Sequence, residues 1–505
     1  MSMKSNQRDT ARTTILTSDI EKHIPKTILI LAWPAILEQF LVCMATLTDT
    51  AMVGSIGAVA TASVAINSSA IWLIGGFVTA LSAGFSFLIA HAVGENHPAK
   101  TRELTFQSIT CSVCLGLCLT LAVQLVCRPL PIILGAAPEV IPYAQKYMQI
   151  VGLGLVPQSL SVILSSNFRS AGNTRIPLIT NLTANAANVV GNFLLIYPTR
   201  TLTVAGFSFT MWGAGFGTTG AAISTAASQY LLAFLLLYCL THADTPIRIS
   251  LGAGAGWKEA AGRRDGREAV AARAVCILPL RAILSRYRVD RRVFSRMLNI
   301  SVPVLIERLT LTSGQLALTR MISSLGTAAL AAHYLTNQTE GLLYLPAYGF
   351  SFTATALIGQ SLGANRKDLA GKFAFYICAI GSTVIIAACI PVALFSGEII
   401  GLFSSDPEVV ALGTKTLFIA AATEIFFSFF VITGGICRGA GDVRFTLLAS
   451  IFGMWGLRVG LVYIATRPLA LGVVGVWLAI AVDCAIRTAL CIWRLRSGKW
   501  MEQAV

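Results

Sequence analysis

The sequence is short of charge, and of negative charge most of all: its 505 residues hold 23 Asp and Glu against 38 Lys and Arg. Charged side chains make up 12% of the chain, where an ordinary soluble domain carries about a quarter. That scarcity excludes an ordinary soluble domain. Metal and disulfide patterns are missing as well. The 12 cysteines include no second CxxC to pair with "CSVC" at 111–114, and nearly all of them fall inside apolar stretches, so they read as small packing residues. His91, His97 and His333 stand isolated, without metal-ligand spacing. The opening "MSMKSNQRDTARTTILTSDIEKHIP" lacks the apolar centre and cleavage site of a secretory signal and carries acids that a transit peptide avoids. The first apolar segment is therefore expected to act as its own insertion signal.

Long apolar runs fill the space that charge leaves. Hydrophobic residues make up 55% of the chain, and its mean hydropathy is +0.72. About twelve segments stand out, near 26–53, 60–91, 105–128, 140–167, 176–198, 212–240, 298–323, 328–361, 370–396, 409–436, 444–466 and 471–493. Each is long enough to cross a hydrocarbon core of roughly 30 Å at about 1.5 Å per residue. The fold class expected is an all-α membrane protein of about twelve transmembrane helices. The net charge of +15 would suit a nucleic-acid surface, but its cations gather on one set of loops, after the even-numbered segments: Arg102, Arg169, Arg175, Arg366, Lys367, Arg438, Arg444, Arg494 and Lys499. Such a bias places both termini in the cytoplasm, and no nucleic-acid partner is expected.

The chain repeats itself. An offset of 269 residues sets "PAILEQF" at 34 against "PVLIERL" at 303, and "RSAGNTR" at 169 against "RGAGDVR" at 438. The same offset pairs Gly57 with Gly326, Ser82 with Ser351, Gly94 with Gly363 and Asn96 with Asn365. Six helices per copy is an even number, so both copies cross the membrane in the same sense and should form two lobes facing a central cavity. The expected organisation is a cytoplasmic tail over 1–25, a lobe over 26–240, a Gly, Ala and Arg-rich cytoplasmic linker over 241–297, a lobe over 298–495 and a tail over 496–505.

Ionisable residues at bilayer depth cost several kcal/mol unless they face a cavity or a partner. Five carboxylates qualify: Glu38, Asp49, Glu307, Glu340 and Glu424. Glu38 and Asp49 share one helix face about 16 Å apart, so one pathway could meet both. Asp49 aligns with Leu318 in the second copy, so its job is not the shared scaffold's. In the fifth segment Asn181, Asn185, Asn188 and Asn192 follow at spacings of four, three and four, one polar stripe on a helix. The stripe either ties neighbouring helices together or, through Asn188 and Asn192, completes a cation site with Asp49. Glu307 adjoins Arg308 and shares its context with its mate Glu38, which suits a structural role as well as transport. Glu340 aligns with Ile71 and is the stronger candidate in the second lobe. Asp483 and Arg487, four residues apart, read as an ion pair. No Ser/His or Asp/Asp constellation supports an intramembrane hydrolase, so neither a catalytic residue nor a cofactor or metal is expected.

These stretches together resemble a known family. "DTAMVGSIGAVATASVA", "RSAGNTRIPL", "LPAYGFSFTATALIGQSLGA", "CRGAGDVRF" and the closing "GVWLAIAVDCAIRTALCIWRLRSGKW" are similar to the multidrug and toxic compound extrusion (MATE) transporters, in particular to their prokaryotic DinF-like branch. The resemblance implies a monomeric two-lobe antiporter of the bacterial inner membrane, surrounded by lipid. It would export small organic, often cationic or amphipathic, substrates against protons, with sodium as the alternative ion. Flipping of a lipid-linked precursor is a rival within transport. Asp49 resembles the first-helix acid on which coupling depends, Asn188 the fifth-helix asparagine of the cation site, and Thr225 a sixth-helix hydroxyl there. Two departures stand out. Asn192 stands where some members carry an Asp, and Phe427 stands where sodium-coupled members carry a tenth-helix Asp, which leaves Glu307 without its partner. Protons are therefore the expected driving ion.

Because the segment 252–272 has no apolar period, shortening it should preserve transport. Efflux assays on cells expressing normal amounts of the shortened protein measure this, and lost efflux would reveal a role for the linker.

Overall fold

A computed structural model describes residues 23–204, 207–243, 245–248 and 290–502. The expected amino-terminal tail and most of the linker, including 252–272, lie outside the described residues. The first half runs α1 (Ile24–Gly54), α2 (Ala58–Gly94), α3 (Pro98–Val126), a short α4 (Leu130–Ile133), α5 (Ile141–Leu153), α6 (Leu155–Ser170), α7 (Arg175–Leu195) and α8 (Thr218–His242). The second half runs α9 (Arg291–Ser323), α10 (Thr327–Leu343), α11 (Leu345–Gly363), α12 (Lys367–Leu394), α13 (Ser396–Gly401) and α14 (Pro407–Ala440). It ends with α15 (Val443–Ile451), a π-helical stretch Phe452–Arg458, α16 (Val459–Thr466) and α17 (Gly472–Arg496).

Among the described residues, eight stretches are long and apolar enough to cross a membrane in one piece, α15 to α16 counting as one of them. Two more crossings are bent pairs, α5 with α6 at 48° and α10 with α11 at 41°. Each bend precedes a proline, Pro157 or Pro346, which lacks the N–H that would continue the ladder. The remaining two crossings, α7 and α9, miss that apolarity because one carries four asparagines and the other several arginines and a glutamate. The chain thus has the expected twelve-helix, two-lobe fold.

Between α7 and α8 stands an antiparallel hairpin, β1 (Pro198–Val204) with β2 (Phe207–Ala214). The expected apolar segment 212–240 therefore begins too early, since its first residues belong to β2 and the helix starts at Thr218. In the run "RTLTVAGFSFTMW" apolar residues alternate with Thr or Ser on either side of Ala-Gly, a period of two that favours a strand over a helix.

The repeat is written into the backbone. Gly57 and Gly326 hold φ of +139° and +111°, Asn96 and Asn365 hold 54° and 59°, and Gly172 and Gly441 hold 86° and 81°. At the Asn mates the next residue closes the helix with a reaching bond, His97 N–H to Ala92 O at 3.2 Å and Arg366 N–H to Ser361 O at 2.8 Å. Pro34 and Pro303, also mates, sit inside α1 and α9.

Within the halves, α1 packs on α7, α7 on α8 and α3 on α6, while α14 packs on α10, α11, α12 and α17. Across them α1 packs on α11, and α2 on both α9 and α11. Ile24, Ile28, Leu31 and Ala32 of α1 lie in one core with Phe350, Phe373 and Ile432 of the second half. Met297, Ile300 and Val304 of α9 lie in another with Phe85, Ile89 and Phe168 of the first. The union is concentrated at the end that holds the start of α1 and the ends of α2 and α11. There a Cβ on Gly94 would strike the Gln360 carbonyl, and one on Gly363 the His91 carbonyl. His91 Nε2 bonds Gly439 O at 3.1 Å, and Gln360 donates to Ser170 O at 2.7 Å. Toward the other end α1 leaves the second half, and Val42, Met44 and Leu47 are exposed.

Gly363→Ala should therefore destabilise the closed seam by about 1–3 kcal/mol, since backbone must move to admit the methyl group. Gly371→Ala, where a Cβ meets nothing within 4 Å, should be neutral or slightly stabilising. Thermal unfolding of the detergent-purified variants measures the difference.

Candidate functional site

The asparagine stripe of α7 faces α1 along its length. Asn181 donates to Glu38 Oε1 at 3.0 Å, Asn185 to the Leu41 carbonyl at 3.4 Å, and Asn192 to Asp49 Oδ1 at 2.5 Å. Asn192 also reaches Asn188 Oδ1 at 3.4 Å. The four amides therefore divide their work. Asn181 and Asn185 tie the helices at one end, while Asn188 and Asn192 gather around Asp49 at the other. Asn192 is fully buried and its Oδ1 has no partner, whereas Asp49 is half-buried. A hydrogen bond to a charged group contributes about 1.5–3 kcal/mol, so this contact is among the stronger links between α1 and α7.

Behind the amides stands Ser224 of α8, whose hydroxyl donates to the Asn188 carbonyl at 2.8 Å. A Cβ on Gly191 would meet that hydroxyl, so glycine lets α8 approach. Thr225, the expected hydroxyl, is the neighbour of Ser224 on α8, and the Thr225 carbonyl accepts from Ser228 at 2.8 Å. The one-residue difference is a matter of helix phase, about 100° per residue. Tyr147 of α5, 9% exposed, lies within electrostatic reach of Asp49. Sequence reasoning passed over it because a tyrosine in "YAQKYMQIVGL" carries no spacing signal.

Glu38, the other acid of α1, is held in an ion pair. Its two oxygens accept from Arg169 Nη1 at 2.8 and 3.0 Å, in an ion pair whose side chains are 4% and 9% exposed. Its mate Glu307 accepts from Thr446 and Ser450 of α15, each at 3.3 Å. Ser450 is the repeat mate of Asn181, so both halves hold their proline-helix glutamate from the same place.

The second half gathers a different cluster. Glu424 is fully buried, with Oε1 on the Ser428 hydroxyl at 2.5 Å and Oε2 without a partner. Glu340 is within electrostatic reach of Glu424 and of Arg458. Arg458, at the end of the π-helical stretch, donates to Asp483 at 2.7 Å beside the pairing of Asp483 with Arg487 at 2.5 and 2.7 Å. The expected Asp483–Arg487 pair is thus a triad. Phe427 packs on Tyr344, ring centres 5.9 Å apart. Among the described residues no group of three or more His, Cys, Asp or Glu could hold a metal ion.

The profile of the MatE family matches residues 34–194 and 303–464, one match in each copy. The chain is 24% identical over 483 residues to "Probable multidrug resistance protein NorM" of Thermotoga maritima, covering 96% of this chain and 94% of that one. It is 22% identical to the uncharacterized transporter YisQ of Bacillus subtilis, covering 94% and 95%. Among solved structures, a MOP superfamily transporter from Pyrococcus furiosus superposes with a TM-score of 0.80 at 18% identity, over 95% of this chain and 97% of that one. The outward-facing conformation of a multidrug resistance MATE family transporter superposes with a TM-score of 0.80 at 19% identity, over 94% and 96%.

Arg169→Ala leaves the buried Glu38 unpaired and should cost about 3–5 kcal/mol. The double variant Glu38→Gln with Arg169→Met should lose much less. Thermal midpoints of the purified proteins decide, and equal losses would remove the ion pair from the scaffold.

Proposed function

The chain belongs to the MatE family of membrane transporters, which handle small organic substrates, and from that premise we propose that it is an antiporter exporting organic cations or amphipathic compounds in exchange for protons. The observation that carries this reading is the Asp49–Asn192 contact: a single carboxylate at membrane depth, outside the repeat's common scaffold, held by an amide with one oxygen to spare. Ionised Asp49 accepts from Asn192 Nδ2. Protonated Asp49 becomes a donor, and a rotated Asn192 amide offers Oδ1 to receive it. One amide therefore serves both protonation states, and the geometry between α1 and α7 changes as the proton comes and goes. Tyr147 and Asn188 complete the surroundings of that exchange.

The bias of basic residues toward one set of loops supports cytoplasmic termini in a bacterial inner membrane, and on that reading the joined end of the two halves is cytoplasmic and Asp49 lies toward the outside. In this state the proton enters from outside. The halves then rock, and the proton leaves to the cytoplasm as substrate is taken up. Glu340 and Glu424 form a second exchange site in the other half. With Asp483, Arg458 and Arg487 they make a cluster of three acids and two bases, which is neutral when the two glutamates share one proton. On this reading the protein acts as a monomer, with both candidate exchange sites supplied by one chain.

Asp49→Asn should reduce export of a fluorescent organic cation at least tenfold from proteoliposomes while the protein stays folded. Wild-type vesicles should export under an imposed pH gradient without sodium. Export that needs sodium and ignores pH would assign the site to sodium, and scrambling of a labelled lipid without movement of the cation would assign it to a lipid-linked substrate.

A further inference from the structure

Where the halves join, a cavity of about 60 Å³ lies between α2, α6, α9, α11 and α14. Three guanidinium groups line it, Arg169 from the first half and Arg308 and Arg438 from the second, together with the hydroxyls of Ser82 and Ser86 and the ring of Phe352. Arg169 is 8% exposed, stacks over Phe352 at 4.6 Å from the ring centre, and has a buried Nε without a partner. Arg438 donates to Ser351 at 2.8 Å.

The repeat makes the charge count instructive. Arg169 and Arg438 are mates, and so are Glu38 and Glu307, which gives each half one cation and one anion here. Arg308 is the addition, because its mate is Gln39. Glu38 is taken up by Arg169. Glu307 already accepts two hydroxyls and faces both Arg308 and Arg438. Three cations therefore meet two anions at a half-buried site, and the surplus positive charge belongs to the cavity.

We propose that this cavity binds an oxyanion, the phosphate of a small solute or of a lipid headgroup, between Arg308, Arg438 and Arg169. Guanidinium forks match the edges of such a group, and the serine hydroxyls supply further donors. The volume admits such an occupant, since a single water needs only about 10–15 Å³ of this space and the cavity offers about 60 Å³. Because Arg169 comes from one half and the other two arginines from the other, the bound anion bridges them and favours the state in which this end is closed. The site is separate from Asp49 and independent of which ion drives export.

Thermal unfolding of the purified full-length protein tests it, with inorganic phosphate, dihexanoyl phosphatidylglycerol or dihexanoyl phosphatidylcholine titrated at constant ionic strength. The midpoint should rise saturably with phosphate, which identifies a free oxyanion, or with phosphatidylglycerol alone, which identifies a headgroup. Arg308→Gln should weaken that response at least tenfold, and Arg308→Lys should retain most of it. Ser82→Leu, which fills the cavity without touching charge, should abolish the response and guards against a folding defect in Arg308→Gln. No saturable rise with either anion, an equal rise with phosphatidylcholine, or an undiminished rise in both Arg308→Gln and Ser82→Leu would overturn the proposal.

Discussion

A carboxylate taken out of water needs a partner, and in this protein that requirement decides how the helices meet. Desolvation costs several kcal/mol per ion, more than any one apolar contact returns, so three of the acids inside the bundle are held by groups of neighbouring elements. Glu38 fixes α6 and α7 to α1 through Arg169 and Asn181. Glu307 fixes α15 to α9 through Thr446 and Ser450. Asp483 of α17 fixes the π-helical stretch through Arg458, while Arg487 pairs with it within α17. Between these anchors the apolar faces pack without direction, since lipid tails are as apolar as the side chains they would displace.

The scaffold repeats and the chemistry does not. Turn residues with positive φ, helix-interior prolines and close-packed glycines recur at the 269-residue offset. The candidate groups break it: Asp49 against Leu318, Arg308 against Gln39, Glu340 against Ile71 and Glu424 against Leu155. A group that binds or exchanges an ion need not recur in both copies, though a missing mate does not by itself assign such a role, since the anchor Asp483 aligns with Ala214. Glu38 and Glu307 keep their mates, and both are occupied by hydrogen bonds within their own half.

Much of this was legible because the signals were periodic. Twelve apolar stretches, the repeat and the asparagine spacing are all properties of intervals along the chain. What the sequence hid depends on geometry across it. The hairpin at 198–214 alternates with period two inside a stretch whose hydropathy alone suggests the approach to a helix. The choice between Ser224 and Thr225 rests on helix phase. Arg458 stands as a lone charge in an apolar run, but no spacing rule pairs it with Asp483, 25 residues further on. The pairing of Glu38 with Arg169 spans 131 residues, and no spacing rule reaches that far.

The packing of α1 links the two kinds of acid. Its first half lies in the core of the opposite lobe through Ile24, Ile28, Leu31 and Ala32, while its second half is held chiefly by the amides of α7. A helix packed this way belongs to both lobes at once. Any change at Asp49 alters the hold of α7 on the free end, and the rigid body of α1 carries that change to the seam where Gly94 and Gly363 admit no extra atom. Close packing there leaves the seam two arrangements, shut or parted, because an interface without slack is not continuously deformable. On the proposed reading, a single protonation event at Asp49 would have that seam to act on, and the seam is in place because the buried acids of the scaffold are held by their partners.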